Sequence, residues 1–172
     1  MVGTLHVNQI AILRPTKMNQ KSTYMTLLNS TSQNEPLFYA KLWVKKHGIK
    51  KNSKRILYNR GTGRPFITSN QDAKSAENEM VFTLTRMRSE IEKTIDEDIE
   101  IEFIFTFKDY YTKKGERRKT IPDLSNLYEL PQDALQKSGI INNDTQICSH
   151  DGSRRKPGKE NTLEITIKRF QE

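Results

Sequence analysis

The chain has 172 residues, 34% hydrophobic and 29% charged, which leaves room for one domain of ordinary size with an appendage at most. No window approaches the roughly 18 uninterrupted apolar residues of a membrane span, and a single cysteine, Cys148, excludes a disulfide-stapled secreted fold. Lys and Arg number 29 against 21 Asp and Glu, a net charge of +8 that favours a polyanionic partner, most simply nucleic acid.

The first residues, from Met1 to Val7, show no basic region followed by an apolar run, so no signal peptide is expected and a cytoplasmic location is the expectation. Residues 5–13 and 24–28 are apolar enough to pair as strands, and the polar run from Asn29 to Pro36 has linker composition. Residues 1–36 therefore read as an N-terminal extension, a hairpin on the main domain or an arm, and 37–172 as the main domain. Phe38, Ala40, Leu42 and Val44 alternate with Tyr39, Lys41, Trp43 and Lys45, the period of a strand. Shorter strands are expected from Lys54 to Tyr58 and from Pro65 to Thr68, around a Gly61-Thr62-Gly63 turn.

Ser69 or Asn70 can cap a helix running to about Lys93, with Ala73, Ala76, Met80, Leu84, Met87 and Ile91 near one face. Ile99, Ile101, Phe103, Phe105 and Phe107 alternate with mostly polar partners as a long strand, and Lys113-Lys114-Gly115 suggests a hairpin returning through Arg117 to Ile121. A second helical segment lies between Leu124 and Lys137, with Gly139 as its C′ residue. Pro131 inside it predicts a kink, or a restart with proline as first helical residue. Strands from Gln146 to His150 and from Thr162 to Phe170 close the chain. This order predicts an α+β fold, a mixed β-sheet with two main helices packed on it.

Three basic runs stand out. Lys45, Lys46, Lys50, Lys51, Lys54, Arg55, Arg60 and Arg64 form the first, with Asn52 inside it; Lys113, Lys114, Arg117, Arg118 and Lys119 form the second; Arg154, Arg155, Lys156 and Lys159 form the third. Each alone reads as a solvated turn, but three runs in separate loops suit contacts to a phosphate backbone. No helix-turn-helix spacing, zinc-finger cysteine pattern or aromatic stacking motif is present, so recognition by shape and charge is expected. His150-Asp151 has no second histidine at ligand spacing.

The informative stretch runs from Ile121-Pro122-Asp123-Leu124-Ser125-Asn126-Leu127 through Asp133-Ala134-Leu135 to Gly139 and Asn142-Asn143-Asp144-Thr145-Gln146-Ile147. Carboxylates at a strand end, along a helix start and in the following loop can converge to hold a hard cation such as Mg²⁺, which phosphodiester hydrolysis uses to activate water. The competing reading is structural: helix capping by Asp123 or Ser125 and a turn aspartate at 144.

This stretch resembles the signature of the RusA family of Holliday-junction resolvases: Pro-Asp-x-Asp-Asn-Leu, then Asp-Ala-Leu, then a Gly and Asp-Asp-x-Gln-Ile. Upstream, Gly48-Ile49-Lys50-Lys51-Asn52-Ser53-Lys54-Arg55-Ile56 and Gly63-Arg64-Pro65-Phe66-Ile67-Thr68 resemble that family's Lys-Lys-Asn and basic-Pro-x-hydrophobic-Thr segments, and Pro157-Gly158 before the last strand fits as well. The resemblance covers roughly residues 38 to 170. It implies a RusA-like α+β homodimer that uses Mg²⁺, with Mn²⁺ as a substitute, to nick four-way DNA junctions symmetrically. The family's first and last aspartates fall on Asp123 and Asp144. Its middle aspartate falls on Ser125, its catalytic lysine on Glu129, and Asn143 replaces the first member of the Asp-Asp pair.

Glu129 lies one helical turn after Ser125, and helical side chains lean toward the N-terminus, so Glu129 can restore the carboxylate missing at 125. The expected cation ligands are thus Asp123, Asp144 and Glu129, with Asp133 read as a dipole partner of the restarted helix. The expected DNA contacts are Lys50, Lys51, Asn52, Lys54, Arg55, Arg64, Lys113, Lys114, Arg117, Arg118, Arg154 and Arg155. Two functions stay open: a metal-dependent junction endonuclease, and a branched-DNA binding protein of the same fold that no longer cuts.

Overall fold

A computed structural model describes residues 10–12, 24–26, 36–44, 55–68, 71–89, 91, 93 and 94–171. Among the described residues, nine strands and two α-helices follow in chain order: β1 (Ile10–Ile12), β2 (Tyr24–Thr26), β3 (Phe38–Trp43), β4 (Arg55–Tyr58), β5 (Pro65–Thr68), α1 (Gln71–Arg88), β6 (Ile99–Phe107), α2 (Leu124–Lys137), β7 (Ile147–Ser149), β8 (Arg154–Pro157) and β9 (Thr162–Arg169). The main sheet has the order β1-β2-β3-β9-β6-β7, with β8 also paired to β6, while β4 and β5 form a separate two-stranded sheet. β7 and β8 both run parallel to β6, whereas its other neighbour, β9, is antiparallel. A parallel return needs a crossover, and α2 supplies it between β6 and β7. The fold is therefore α+β with a mixed sheet, as expected.

Alternation decides which way each strand faces. Phe38, Ala40 and Leu42 of β3, Leu163, Ile165 and Ile167 of β9, and Ile99, Ile101, Phe103, Phe105 and Phe107 of β6 are buried, and they share a core with Met80, Leu84 and Met87 of α1 and Leu127, Leu130, Ala134 and Leu135 of α2. The intervening residues make cross-strand ion pairs: Lys41 with Glu164 (3.2 Å), Arg154 with Glu102 (2.6 Å) and Lys168 with Glu100 (4.0 Å). Such solvated pairs contribute little stability each, but they mark the sheet face opposite the core.

Several expectations need correction. α1 ends at Arg88 instead of continuing to Lys93, because the Arg88 guanidinium closes the helix end. It donates to the carbonyls of Ile91 (2.7 Å) and Gly139 (2.9 Å) and to Thr94 Oγ1 (3.1 Å), tying α1 to the end of α2. The hairpin expected around Lys113-Lys114-Gly115 is present but short: Tyr111 bridges Arg117, and backbone bonds join Thr112 to Glu116 and Arg118 to Tyr110. Arg154 and Arg155 lie in a strand, not in a loop.

α2 does not restart at Pro131. It is one helix with the proline inside it, and the buried ring offsets part of the cost of the lost hydrogen bond. Asp133 is consequently in a middle turn and cannot act as a first-turn dipole partner. Gly139, at φ 75°, does take the left-handed conformation expected of a C′ glycine. The capping expected of Ser69 or Asn70 lies outside the described residues.

Candidate active site

The segment entering α2 is fastened at three points. Ile121 is buried, and its N–H donates to the carbonyl of Arg118 (3.2 Å). The carbonyl of Pro122 accepts from Arg155 Nη1 on β8 at 2.6 Å. Asp123 then occupies the N-cap with extended backbone (φ −67°, ψ 156°), and its main-chain carbonyl accepts from Asn126 at 3.1 Å. An N-cap aspartate ordinarily turns its carboxylate back onto the first-turn N–H groups. Asp123 does not: its side chain makes no capping bond and is exposed. The helix-capping alternative for this residue is therefore not what the structure has.

Ser125 is exposed and Glu129 half-buried on the same unbroken helix, four residues apart. Because both precede Pro131, no break separates them, and the i,i+4 relation puts them on one face. Tyr128 turns to the sheet, lying near Phe103 and Phe105 and stacking on His150 at 4.5 Å between ring centroids. Gln132 Nε2 donates to His150 Nε2 (2.7 Å). Burial holds the His150 pKa below the ordinary histidine value of 6.5.

Asp144 opens a single 3₁₀ turn, Asp144–Gln146, ahead of β7. The capping here belongs to its neighbours. Asn143 Oδ1 accepts from Thr145 N (3.0 Å), and Gln146 Oε1 accepts from the backbone of Asn143 (2.7 Å) and Asn142 (3.0 Å). The Gln146 amide nitrogen reaches the carbonyls of Ile95 (3.3 Å) and Glu97 (2.9 Å), pinning the turn to the chain just before β6. Asn143 thus fills a capping position that an aspartate fills equally well, which accounts for the departure from Asp-Asp. Asp144 is left exposed with its carboxylate unused by the turn.

Asp123 follows Pro122, which is held by Arg155, the register partner of Phe105 on β8, and Asp144 opens the turn whose Gln146 is pinned to Ile95 and Glu97 ahead of β6. Among the described residues, no group of three or more His, Cys, Asp or Glu side chains is arranged to hold a cation. The three acids are thus not assembled as a closed ligand cage. The donor chemistry still suits a hard cation, since both aspartates offer carboxylate oxygens outside their own turns.

The basic residues divide into two classes. Lys113, Lys114, Arg117, Arg118 and Lys119 are exposed on the loop that leads into Asp123, and Arg60 and Arg64 are exposed at the β4–β5 turn. That turn is shaped by Asn59, whose Oδ1 accepts from Gly61 N (2.8 Å) and Thr62 N (3.2 Å). Arg154, by contrast, bonds Glu102 and the carbonyl of Gly152 (2.7 Å), and Arg155 bonds Pro122. Lys50, Lys51, Asn52 and Lys54, and the Arg55 side chain, lie outside the described residues. Two features were missed in the sequence. Arg155 acts as an anchor of the helix start, which no local signal reveals, and Tyr58 and Tyr111 are exposed aromatics inside basic segments, a pattern visible in the sequence once the loops are delimited.

No helix of the described residues is long and apolar enough to cross a membrane. No curated protein matches the sequence. A family model does: the one described as Endodeoxyribonuclease RusA matches residues 49–168, a span that includes Asp123, Ser125, Glu129, Asn143 and Asp144 together with both helices. The match covers well over half of the chain, and with the mixed sheet, the crossover helix and the Pro-Asp at its start, it makes this chain a member of the RusA endodeoxyribonuclease family.

Proposed function

We propose that the chain is a divalent-cation-dependent endonuclease that resolves four-way DNA junctions as a homodimer in the cell. The supporting observation is that Asp123 and Asp144 both stand at the start of a turn whose capping leaves their carboxylates unused. Mg²⁺ typically takes one or two protein carboxylates and completes its shell with water and substrate phosphate, so a closed three-acid cage is not required. When bound, the cation supplies an acidified water and neutralises charge developing on the phosphate. Asp123 would hold it, with Glu129 one helical turn on supplying the negative charge that Ser125 does not provide; Asp144, on the turn pinned to the chain ahead of β6, offers a second exposed carboxylate outside this group. The exposed cations of residues 108–119 attract the phosphate backbone without reading bases. Two strands must be nicked to resolve a junction, which suits one site on each of two symmetric copies.

The serine at 125 and the glutamate at 129 favour one rival, a junction-binding protein that does not cut. A nuclease assay on a synthetic four-way junction, in Mg²⁺ and in EDTA, separates the two. The proposal expects Mg²⁺-dependent paired nicks. It also expects Asp123→Asn to abolish cutting while junction binding survives or tightens, because a negative charge facing phosphate is removed. Glu129→Gln should abolish cutting too, and Ser125→Asp in that background should recover part of it. A wild type that binds junctions but leaves them intact in Mg²⁺ and Mn²⁺ supports the rival.

A further inference from the structure

We propose that Tyr111 is a stacking platform for the base pair exposed at a DNA branch point, an inference that rests on the junction reading above. Tyr111 is 50% exposed, yet it is not a loosely attached side chain. Its ring meets Tyr110 edge-on at 5.0 Å, and Tyr110 meets Phe107 at 6.1 Å, so a relay of aromatic rings runs from the buried end of β6 to the surface. The backbone around it is equally fixed. Thr112 N donates to Glu116 O (2.7 Å), Arg118 N to Tyr110 O (3.0 Å), and Arg118 Nε to the Tyr111 carbonyl (3.3 Å).

The ring is surrounded by cations. Residues 108–119 carry six Lys or Arg against two acids, and among the described residues no acid forms an ion pair with Lys113, Lys114, Arg117 or Lys119. The same loop ends at buried Ile121, two residues before Asp123. A phosphate backbone drawn to these cations lies beside an aromatic face held in place. An intact duplex hides its base faces within the stack. A branch point exposes them, and an aromatic ring stacks on any base because every base has a π-face. Charge attracts all DNA, and the platform adds selectivity for branched DNA.

The test compares wild type, Tyr111→Ala and Tyr111→Phe in EDTA, so that no strand is cut. Binding is measured to a four-way junction carrying 2-aminopurine beside the branch point and to a linear duplex of the same sequence. Loss of one base–aromatic stack should weaken junction binding by roughly 5- to 100-fold for Tyr111→Ala, leave duplex binding within about twofold, and abolish the 2-aminopurine quench. Tyr111→Phe keeps the ring and should behave as wild type. An alanine variant that retains junction preference and quench overturns the platform and leaves the junction reading intact. A phenylalanine variant as defective as alanine also overturns it, because the hydroxyl is then what matters. A wild type that binds junction and duplex alike overturns the junction reading, and the platform with it.

Discussion

Removing the Arg155 guanidinium tests whether a basic residue of the third run serves the fold or the DNA. Its Nη1 bonds the Pro122 carbonyl at 2.6 Å, from a half-buried position on β8 to the residue before the N-cap of α2. A hydrogen bond from a charged donor is typically worth about 1.5–3 kcal/mol. Because Pro122 is only partly buried, water can reach its carbonyl once the arginine is gone, so Arg155→Ala should cost about 1–2 kcal/mol. For a chain of this size that lowers Tm by roughly 2–8 °C. Arg155→Lys should recover little, because an ammonium on a different stem does not reproduce the planar reach of the fork. Urea denaturation gives the stability change, and junction binding across a salt series gives the DNA contribution. The anchor role expects a lower midpoint at unchanged m-value and an unchanged salt slope. An Arg155→Ala variant of wild-type stability whose salt slope is shallower by about 0.9 would refute the reasoning and return Arg155 to the DNA-contact set.

Two further predictions concern the packing around the site. Burial lowers the His150 pKa below the ordinary 6.5; the unfolded chain therefore binds the proton more readily, and stability present above pH 6.5 is lost as pH falls toward the folded value. His150→Phe keeps the ring against Tyr128 and should flatten that acid-side loss in urea midpoints measured from pH 7.5 to 5, whereas a slope equal to wild type would show that other groups cause it. Gly158 lies so close to Thr106 that an added Cβ would stand 2.1 Å from Thr106 Cγ2; Gly158→Ala should destabilise by about 1–3 kcal/mol, and Thr106→Ala in the same chain should recover part of it, a coupling that a double-mutant cycle in urea detects.

The helices, the long strands and the Pro-Asp segment were legible because their signals are local. Alternation along 38–43 marked which residues face the core, and the spacing of Met80, Leu84 and Met87 marked the inner face of α1, whereas along 99–107 the alternation holds only to Phe103, since Ile104 and Thr106 are buried as well. β8 gave no such signal: Arg154-Arg155-Lys156-Pro157 has no apolar alternation, and it is a strand because the exposed edge of β6 pairs with it. The continuity of α2 through Pro131 was likewise outside the sequence. Proline's local cost argues for a break, and it is the buried position on the core side of the helix that outweighs it.

The same division explains the site. Sequence by itself singled out Asp123 and Asp144 because both fall on aspartates of the RusA signature that this stretch resembles; local spacing read equally well as capping and a turn. It could not say whether those acids cap their own turns. That depends on Asn143 and Gln146 for one, and on the backbone angles at Asp123 for the other. Nor could it separate one arginine from another. Arg117 and Arg155 both belong to basic runs, but Arg117 stays at the surface while Arg155 meets a carbonyl 33 positions away and Arg154 a carboxylate 52 positions away. Charge density is a property of the local sequence. Whether a given charge faces solvent or a partner in the fold is decided by contacts between distant parts of the chain, and only tertiary structure brings those parts together.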